Sequence, residues 1–362
     1  MDILWLSIRK RDDLSSSTQQ GILSVLASHG HSVRFVGPAS PIGQGFLDCE
    51  YIDLPQKNKW GRRTSSFAKE VKRWLDVEQP KCDAIFLDWP LYTYLRSRIT
   101  HLSAPKILID RSPPASKGIL SLLQWRHWKQ AWKTASNGSF SAGCVVSASH
   151  SDFVTSRCGT PQCPIITIPA GVSTFSEQPR TLSQPLQLVY HGRLDANRGL
   201  SHIIEFAKKS RHLGVDVQLT LYGTGDYVQT LKNHQDEVVR YGGNIEQHRM
   251  HQELERFHFG LLPMPATKVW SIASPLKQNE YLAAGLPILG IDHAGHQIDH
   301  QGDFVQLYAQ HDFSFSAIQF LEQMDEATYL QLSTGALEYA QHHCTWEHRC
   351  KGLLDALSSL QK

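Results

Sequence analysis

Two short stretches hold residue types that could do chemistry. Residues 191–200 read HGRLDANRGL: Gly192 ends an apolar run, Arg193 follows it, and Arg198 with Gly199 opens a helical pattern. Two guanidinium groups on one short loop repel each other unless something anionic lies between them. A diphosphate would serve, because guanidinium forks bind phosphate oxygens bidentately. Gly192 has no side chain, so a ligand can approach the backbone there closely.

The second stretch, SPLKQNEYLAAGLPI, covers residues 274–288. Ser274 reads as an N-cap, Pro275 as the first helical residue and Gly285 as the helix stop. Lys277 falls in the first turn, where a cation opposes the helix dipole by a few tenths to about 1 kcal/mol. An anion docked on the free N–H groups would remove that cost. Glu280 lies one turn further in, where a carboxylate can accept two hydrogen bonds from a vicinal diol such as a ribose. Taken singly, each residue has a plain surface explanation. Together they describe a site for a nucleoside diphosphate.

Something must hold these loops in register. At 362 residues the chain is expected to form two domains. In the first half, short apolar runs at 3–7, 33–36, 84–89, 106–110, 144–149 and 164–169 alternate with helical stretches. The same rhythm restarts at 187–192, 217–223, 260–265 and 287–291. Strands separated by helices of 10–15 residues imply parallel βαβ units. The fold class is therefore α/β, with two doubly wound, Rossmann-like domains facing across a cleft. Residues 169–186, rich in Pro, Ser, Thr and Gln, read as the linker. Ligands of such open sheets bind at the carboxyl ends of the strands.

Composition narrows the class. The chain is 41% hydrophobic and 19% charged, an ordinary globular profile. No stretch approaches the roughly 20 apolar residues of a membrane span. The opening MDILWLSIRKRDD lacks the order of a signal peptide, so a cytoplasmic protein is expected. The 7 cysteines, an odd number, read as reduced thiols. Cys344 and Cys350 near His342, His343 and His348 match no common zinc spacing. Residues 1–172 hold 21 Lys+Arg against 13 Asp+Glu, and the remainder 15 against 21. The basic first half should meet something anionic, such as a membrane surface or a phosphorylated acceptor. No nucleic-acid motif accompanies the charge, so no nucleic-acid partner is expected.

At these residues the chain resembles the retaining glycosyltransferases of family 4, which have the two-domain GT-B fold. GRLDANRG (192–199), LYGTG (221–225), GGNIEQ (242–247) and SPLKQNEYLAAGLP (274–287) follow the family's order, and PAGVS (169–173) resembles the phrase closing its first domain. The resemblance implies an acceptor-side domain over 1–172 and a donor domain over 173–340. A terminal helix, 341–362, would pack back on the first domain. It implies transfer of a sugar from a nucleotide-diphosphate donor to a glycan or lipid-linked acceptor, with retained configuration. Arg193, Arg198 and Glu280 would be catalytic, the arginines holding the diphosphate and Glu280 the ribose. Gly192, Gly223, Gly225, Ile245, Ser274, Pro275, Leu276 and Lys277 would bind the donor. The diphosphate itself would assist the acceptor proton, and no cofactor or metal is implied, since no D-x-D carboxylate pair is present.

The chain departs from the family pattern in several places. Ile272 stands where the family often has a first glutamate. It favours the alternative function of a non-catalytic nucleotide-sugar-binding subunit partnering another glycosyltransferase. Ser15, Ser16 and Ser17 replace the family's first glycine-rich loop, and Asp110–Arg111 stands at the strand end where many members have a histidine. These residues are the acceptor-side candidates. A dinucleotide oxidoreductase would need a G-x-G-x-x-G after a strand, which is missing. DHAGHQIDHQGD (292–303) reads as a solvated polar loop rather than a metal cluster. Trp125, Trp128 and Trp132, interleaved with Arg126, Lys129 and Lys133, and the segment KNKWGRR (57–63) could lie peripherally on an anionic membrane. Packing of the tryptophans against the sheet explains the helical spacing equally well.

Overall fold

The computed structural model describes residues 1–11, 16–40, 48–57, 61–114, 119–300 and 302–361. It divides into two compact units, Met1–Pro169 with the tail from Arg349, and Ala170–His348.

The first unit is built on seven strands: β1 (Asp2–Leu6), β2 (Ser32–Pro38), β3 (Glu50–Leu54), β4 (Ala84–Asp88), β5 (Lys106–Ile109), β6 (Ala142–Val145) and β7 (Ile165–Thr167). Their order is β3-β2-β1-β4-β5-β6-β7, and the pairings are parallel. Ile3, Leu4, Leu6, Ala84, Ile85, Phe86 and Leu87 are fully buried, as expected for strands covered on both faces. The strand order reverses direction between β1 and β4, which leaves a crevice at their carboxyl ends.

The helix Ile119–Thr134 settles the tryptophan stripe. Trp128 and Trp132 are fully buried, and both donate Nε1–H to Asp110 Oδ2, at 2.6 and 2.8 Å. His150 Nε2 stands 3.3 Å from the same oxygen. Trp125 packs edge-on against Trp128 and Phe153. Trp128 and Trp132 are core, not a membrane face, and Trp125 is half-buried beside them; Trp60 lies outside the described residues. Asp110 is likewise removed as an acceptor-side candidate: it is sealed in the unit, where it gathers indole N–H groups that burial would otherwise orphan. Asp110→Ala leaves two buried donors unpaired at about 1–3 kcal/mol each. It should therefore cost about 2–6 kcal/mol in a urea melt while nucleotide affinity stays within twofold.

The second unit contains β8 (Leu186–His191), β9 (Val217–Tyr222), β10 (Val239–Gly243), β11 (Phe259–Leu262), β12 (Ile288–Ile291) and β13 (Val305–Tyr308). The order β10-β9-β8-β11-β12-β13 is again parallel, with the same reversal between β8 and β11. The expected linker is part of this unit. Ser176 N–H donates to Ala283 O at 2.8 Å, Arg180 N–H to Ser333 Oγ at 2.8 Å, and Val172 bridges to Thr345. A polar composition at 169–186 reflects surface hydrogen bonding, not a free tether. Among the described residues no helix is long and apolar enough to cross a membrane.

Candidate functional site

Strand β8 ends at His191 and delivers the loop 192–199 to the carboxyl edge of the second sheet. Three loops are laced together there. Gly192 N–H donates to Tyr222 O at 3.0 Å, Leu194 N–H to Thr224 O at 2.9 Å, and Gly223 N–H to Gly243 O at 2.8 Å. Gly192 and Gly223 have φ of 119° and 132°, which disfavours any residue with a Cβ. A Cβ on Gly223 would also strike the Gly192 carbonyl, and one on Gly225 the Leu194 carbonyl. These two glycines therefore act first by letting the loops touch. Ile245, half-buried, packs against the core of the same unit.

The anion between the two arginines is inside the quoted loop itself. Arg193 places Nε and a terminal nitrogen 3.2 and 2.9 Å from the two oxygens of Asp195. Arg198 Nε lies 3.4 Å from Asp195 Oδ2. Burial would raise the Asp195 carboxyl, but Arg193, with help from Arg198, holds it below its ordinary value. The inference that the loop needs an outside anion is thus corrected, because Asp195 already meets part of the positive charge. The two arginines also differ. The Arg193 side chain is 45% exposed, whereas Arg198 is mostly buried, with its guanidinium 4.7 Å from the centre of the Trp270 ring.

The helix Leu276–Ala283 starts one residue later than the sequence suggests, with Pro275 as its N-cap. Ser274 does not cap it. Its hydroxyl accepts the Ala170 N–H at 2.9 Å, and Asn279 Nδ2 donates to Ala170 O at 2.7 Å. The helix mouth is thereby fixed to the segment that precedes β8. Lys277 is only 9% exposed, with Nζ 5.1 Å from the Tyr190 ring centre. Its Cε and Nζ lie 3.5 and 3.7 Å from where a Gly192 Cβ would stand. Burial pulls this ammonium down to about 7; Arg198 pushes it further and Glu280 opposes.

Glu280 Oε2 sits 3.3 Å from His191 Nε2. Burial, with repulsion from Lys277, drives His191 down to about 3, so the ring is neutral at physiological pH. The pair is a close approach without hydrogen-bond geometry, so His191 Nε2 is left without a hydrogen-bond partner. The His191 backbone N–H donates to Tyr281 Oη at 3.2 Å. Sequence reasoning gave His191 no role. Its one signal was its position, immediately before the glycine that ends the strand.

The other candidates fall as follows. Ser15 lies outside the described residues, and Ser16 opens the helix Ser16–Ser28. Arg111 donates to Ile168 O at 2.5 Å, and burial draws its guanidinium to about 10, which leaves it charged at neutral pH. The stretch 292–303 is not wholly solvated. His293 and His296 are buried with ring centres 3.8 Å apart, in contact with Met264 O at 3.1 Å and Ile291 O at 2.7 Å. Backbone carbonyls at the end of β12 and after β11 take these rings into the core. Among the described residues no group of three His, Cys, Asp or Glu is placed to hold a metal ion.

This edge can neutralise a diphosphate with Arg198 and Lys277, bring it onto the bare backbone at Gly192, and hold a diol with Glu280. Comparison with known proteins bears on the fold. Residues 185–322 match the family model described as Glycosyl transferases group 1. No curated protein sequence matches the chain. Sucrose-phosphate synthase from Thermosynechococcus elongatus is similar at TM-score 0.73 and 15% identity, over 99% of this chain and 98% of that one. The pneumococcal O-GlcNAc transferase GtfA, solved with UDP and GlcNAc, is similar at TM-score 0.72 and 12% identity, over 100% and 99%. A GtfA/B complex chain gives 0.62 at 16%, over 82% of this chain and 61% of its own, so this chain spans about three fifths of that relative. The fold is GT-B.

Proposed function

We propose, from a second unit whose residues 185–322 match the family model described as Glycosyl transferases group 1, that the chain is a retaining glycosyltransferase using a nucleotide-diphosphate sugar. One observation supports this most: buried Lys277 lies against the bare backbone of Gly192, with Arg198 and Glu280 near enough to act on its charge. Arg198 and Lys277 would stabilise the negative charge that grows on the leaving diphosphate. Groups aimed at developing charge in a dry site typically contribute about 100- to 1,000-fold each. Glu280, 3.3 Å from His191, would hold the ribose. The remaining parts of the proposal are a glycan or lipid-linked acceptor, independence of metals, and a cytoplasmic location. Exposed Leu122 and Leu123 beside Arg126 support a peripheral membrane contact.

A thermal-shift screen against UDP, GDP, ADP and CMP tests the donor site. One nucleotide should raise the melting temperature, since a ligand at 100 times its Kd adds about 2.7 kcal/mol. Arg198→Ala should lose most of that shift. Arg193→Ala should lose less than tenfold in affinity, because Asp195 holds Arg193 at the surface. No shift with any nucleotide at millimolar concentration would overturn the assignment. The second reading, a nucleotide-sugar-binding subunit, draws on Ile272, which is buried and cannot bond a sugar hydroxyl. Slow hydrolysis of the donor by the purified protein decides against it.

A further inference from the structure

The carboxylate between the two arginines holds no part of the backbone. Asp195 precedes the short helical turn Ala196–Arg198, but its side chain caps no N–H there. Asp226 makes that tie instead, its Oδ1 accepting the Ala196 N–H at 2.8 Å. Among the described residues, the hydrogen bonds of the Asp195 side chain go to guanidinium groups. Arg193 meets it with two nitrogens at 3.2 and 2.9 Å, and Arg198 Nε lies at 3.4 Å. The carboxylate rests on bare backbone, since a Cβ on Gly225 would stand 2.7 Å from its Oδ1.

An aspartate so placed occupies what a phosphate needs. Two nitrogens of Arg193 face two oxygens of Asp195, and a guanidinium holds a phosphate with the same fork. The pair is also easily exchanged. The Arg193 side chain is 45% exposed and that of Asp195 20%, and ion pairs so open to water are weak. A diphosphate brings more charge to the fork and displaces the carboxylate. When the anion leaves, Asp195 stands in the same loop to take the arginines back. The exchange matters most after transfer. In the donor the sugar occupies one oxygen of the outer phosphate. Once the sugar has gone, that phosphate carries roughly −1.5 to −2 and binds the arginines harder.

We infer that Asp195 is a positioning residue that competes with the diphosphate for Arg193 and Arg198, and so sets how fast the nucleoside diphosphate leaves. This inference rests on the glycosyltransferase reading and specifies one step of it. The test compares the full chain with Asp195→Asn, which keeps the shape and removes the charge, and with Asp195→Ser as a second variant. The probes are the nucleoside diphosphate found by thermal shift, its parent nucleoside and inorganic pyrophosphate. Both variants should bind the nucleoside diphosphate and pyrophosphate about fivefold more tightly or better, the worth of one exposed ion pair. Stopped flow should show slower dissociation, and nucleoside affinity should not change. Arg193→Ala should then cost more affinity in the Asp195→Asn background than in the parent, because the freed guanidinium carries the gain. Equal or weaker diphosphate binding overturns the inference, as does a gain shared by the nucleoside or an Arg193→Ala cost that is the same in both backgrounds. Tighter pyrophosphate binding with no nucleotide bound leaves the competition at this loop standing and removes the nucleotide reading. Nucleotide binding without the gain does the reverse.

Discussion

Lys277→Met should melt above the parent protein and transfer sugar about a hundredfold more slowly or worse. The two effects have one cause. Burial holds the Lys277 ammonium down at about 7, against an ordinary value of 10.5. A shift of that size corresponds to about 5 kcal/mol at most, and local relaxation and water entry reduce it. Between the two pH values the unfolded chain binds the proton and the folded chain does not, so stability rises with pH across that range. Below pH 7 the folded protein carries a buried cation at full cost. The advantage of Met should therefore be largest near pH 6, about 3–8 °C at the 2–4 °C per kcal/mol expected for a unit of this size. It should shrink as the pH approaches 10. Parallel melting curves of the two proteins from pH 6 to 9.5 would show that Lys277 is not strained. A Met variant with normal turnover would remove it from the reaction.

The same residue predicts a proton. When a diphosphate docks, its charge raises the Lys277 value, so binding near pH 7.5 should take up a fraction of a proton, and binding at pH 6 almost none. Calorimetry in buffers of different ionisation enthalpy measures this directly. His191 does not compete with the signal, because its value of about 3 keeps it neutral across the range.

Glu280→Ala should weaken ribonucleotide binding by about a hundredfold or more and erase any preference over the 2′,3′-dideoxy nucleotide. Hydrogen bonds to a charged group contribute about 1.5–3 kcal/mol each, and a diol would lose two of them. His191→Ala keeps the carboxylate but removes the group 3.3 Å from it, so the expected loss is smaller, about fivefold. A preference for ribose that persists in Glu280→Ala would mean that the diol is held elsewhere.

How much of this was legible depended on burial. The central strands β1, β4, β8 and β11 could be read directly, because burial on both faces demands an unbroken apolar run. The strands that escaped notice, β3, β10 and β13, all stand at sheet edges. Glu50–Leu54 is half-exposed, and Val239–Gly243 ends in two glycines, so neither carries that pattern. The helix mouth at 274–276 was legible to within one residue. The partner of Ser274 was not, since Ala170 lies 104 positions away in the chain.

Within the site the division follows the same physics. The sequence by itself determined the order of parallel units, the glycine that ends β8, and the presence of Arg198, Lys277 and Glu280 on two loops of one sheet edge. Short-range periodicity and residue chemistry encode those features. Only the tertiary structure decided which charges are already satisfied. It placed Asp195 between Arg193 and Arg198, sealed Asp110 under two indoles, buried Lys277 over Tyr190 and brought His191 to Glu280. Charge on a side chain is a local property, but its cost depends on burial and on neighbours, and those are set by the fold.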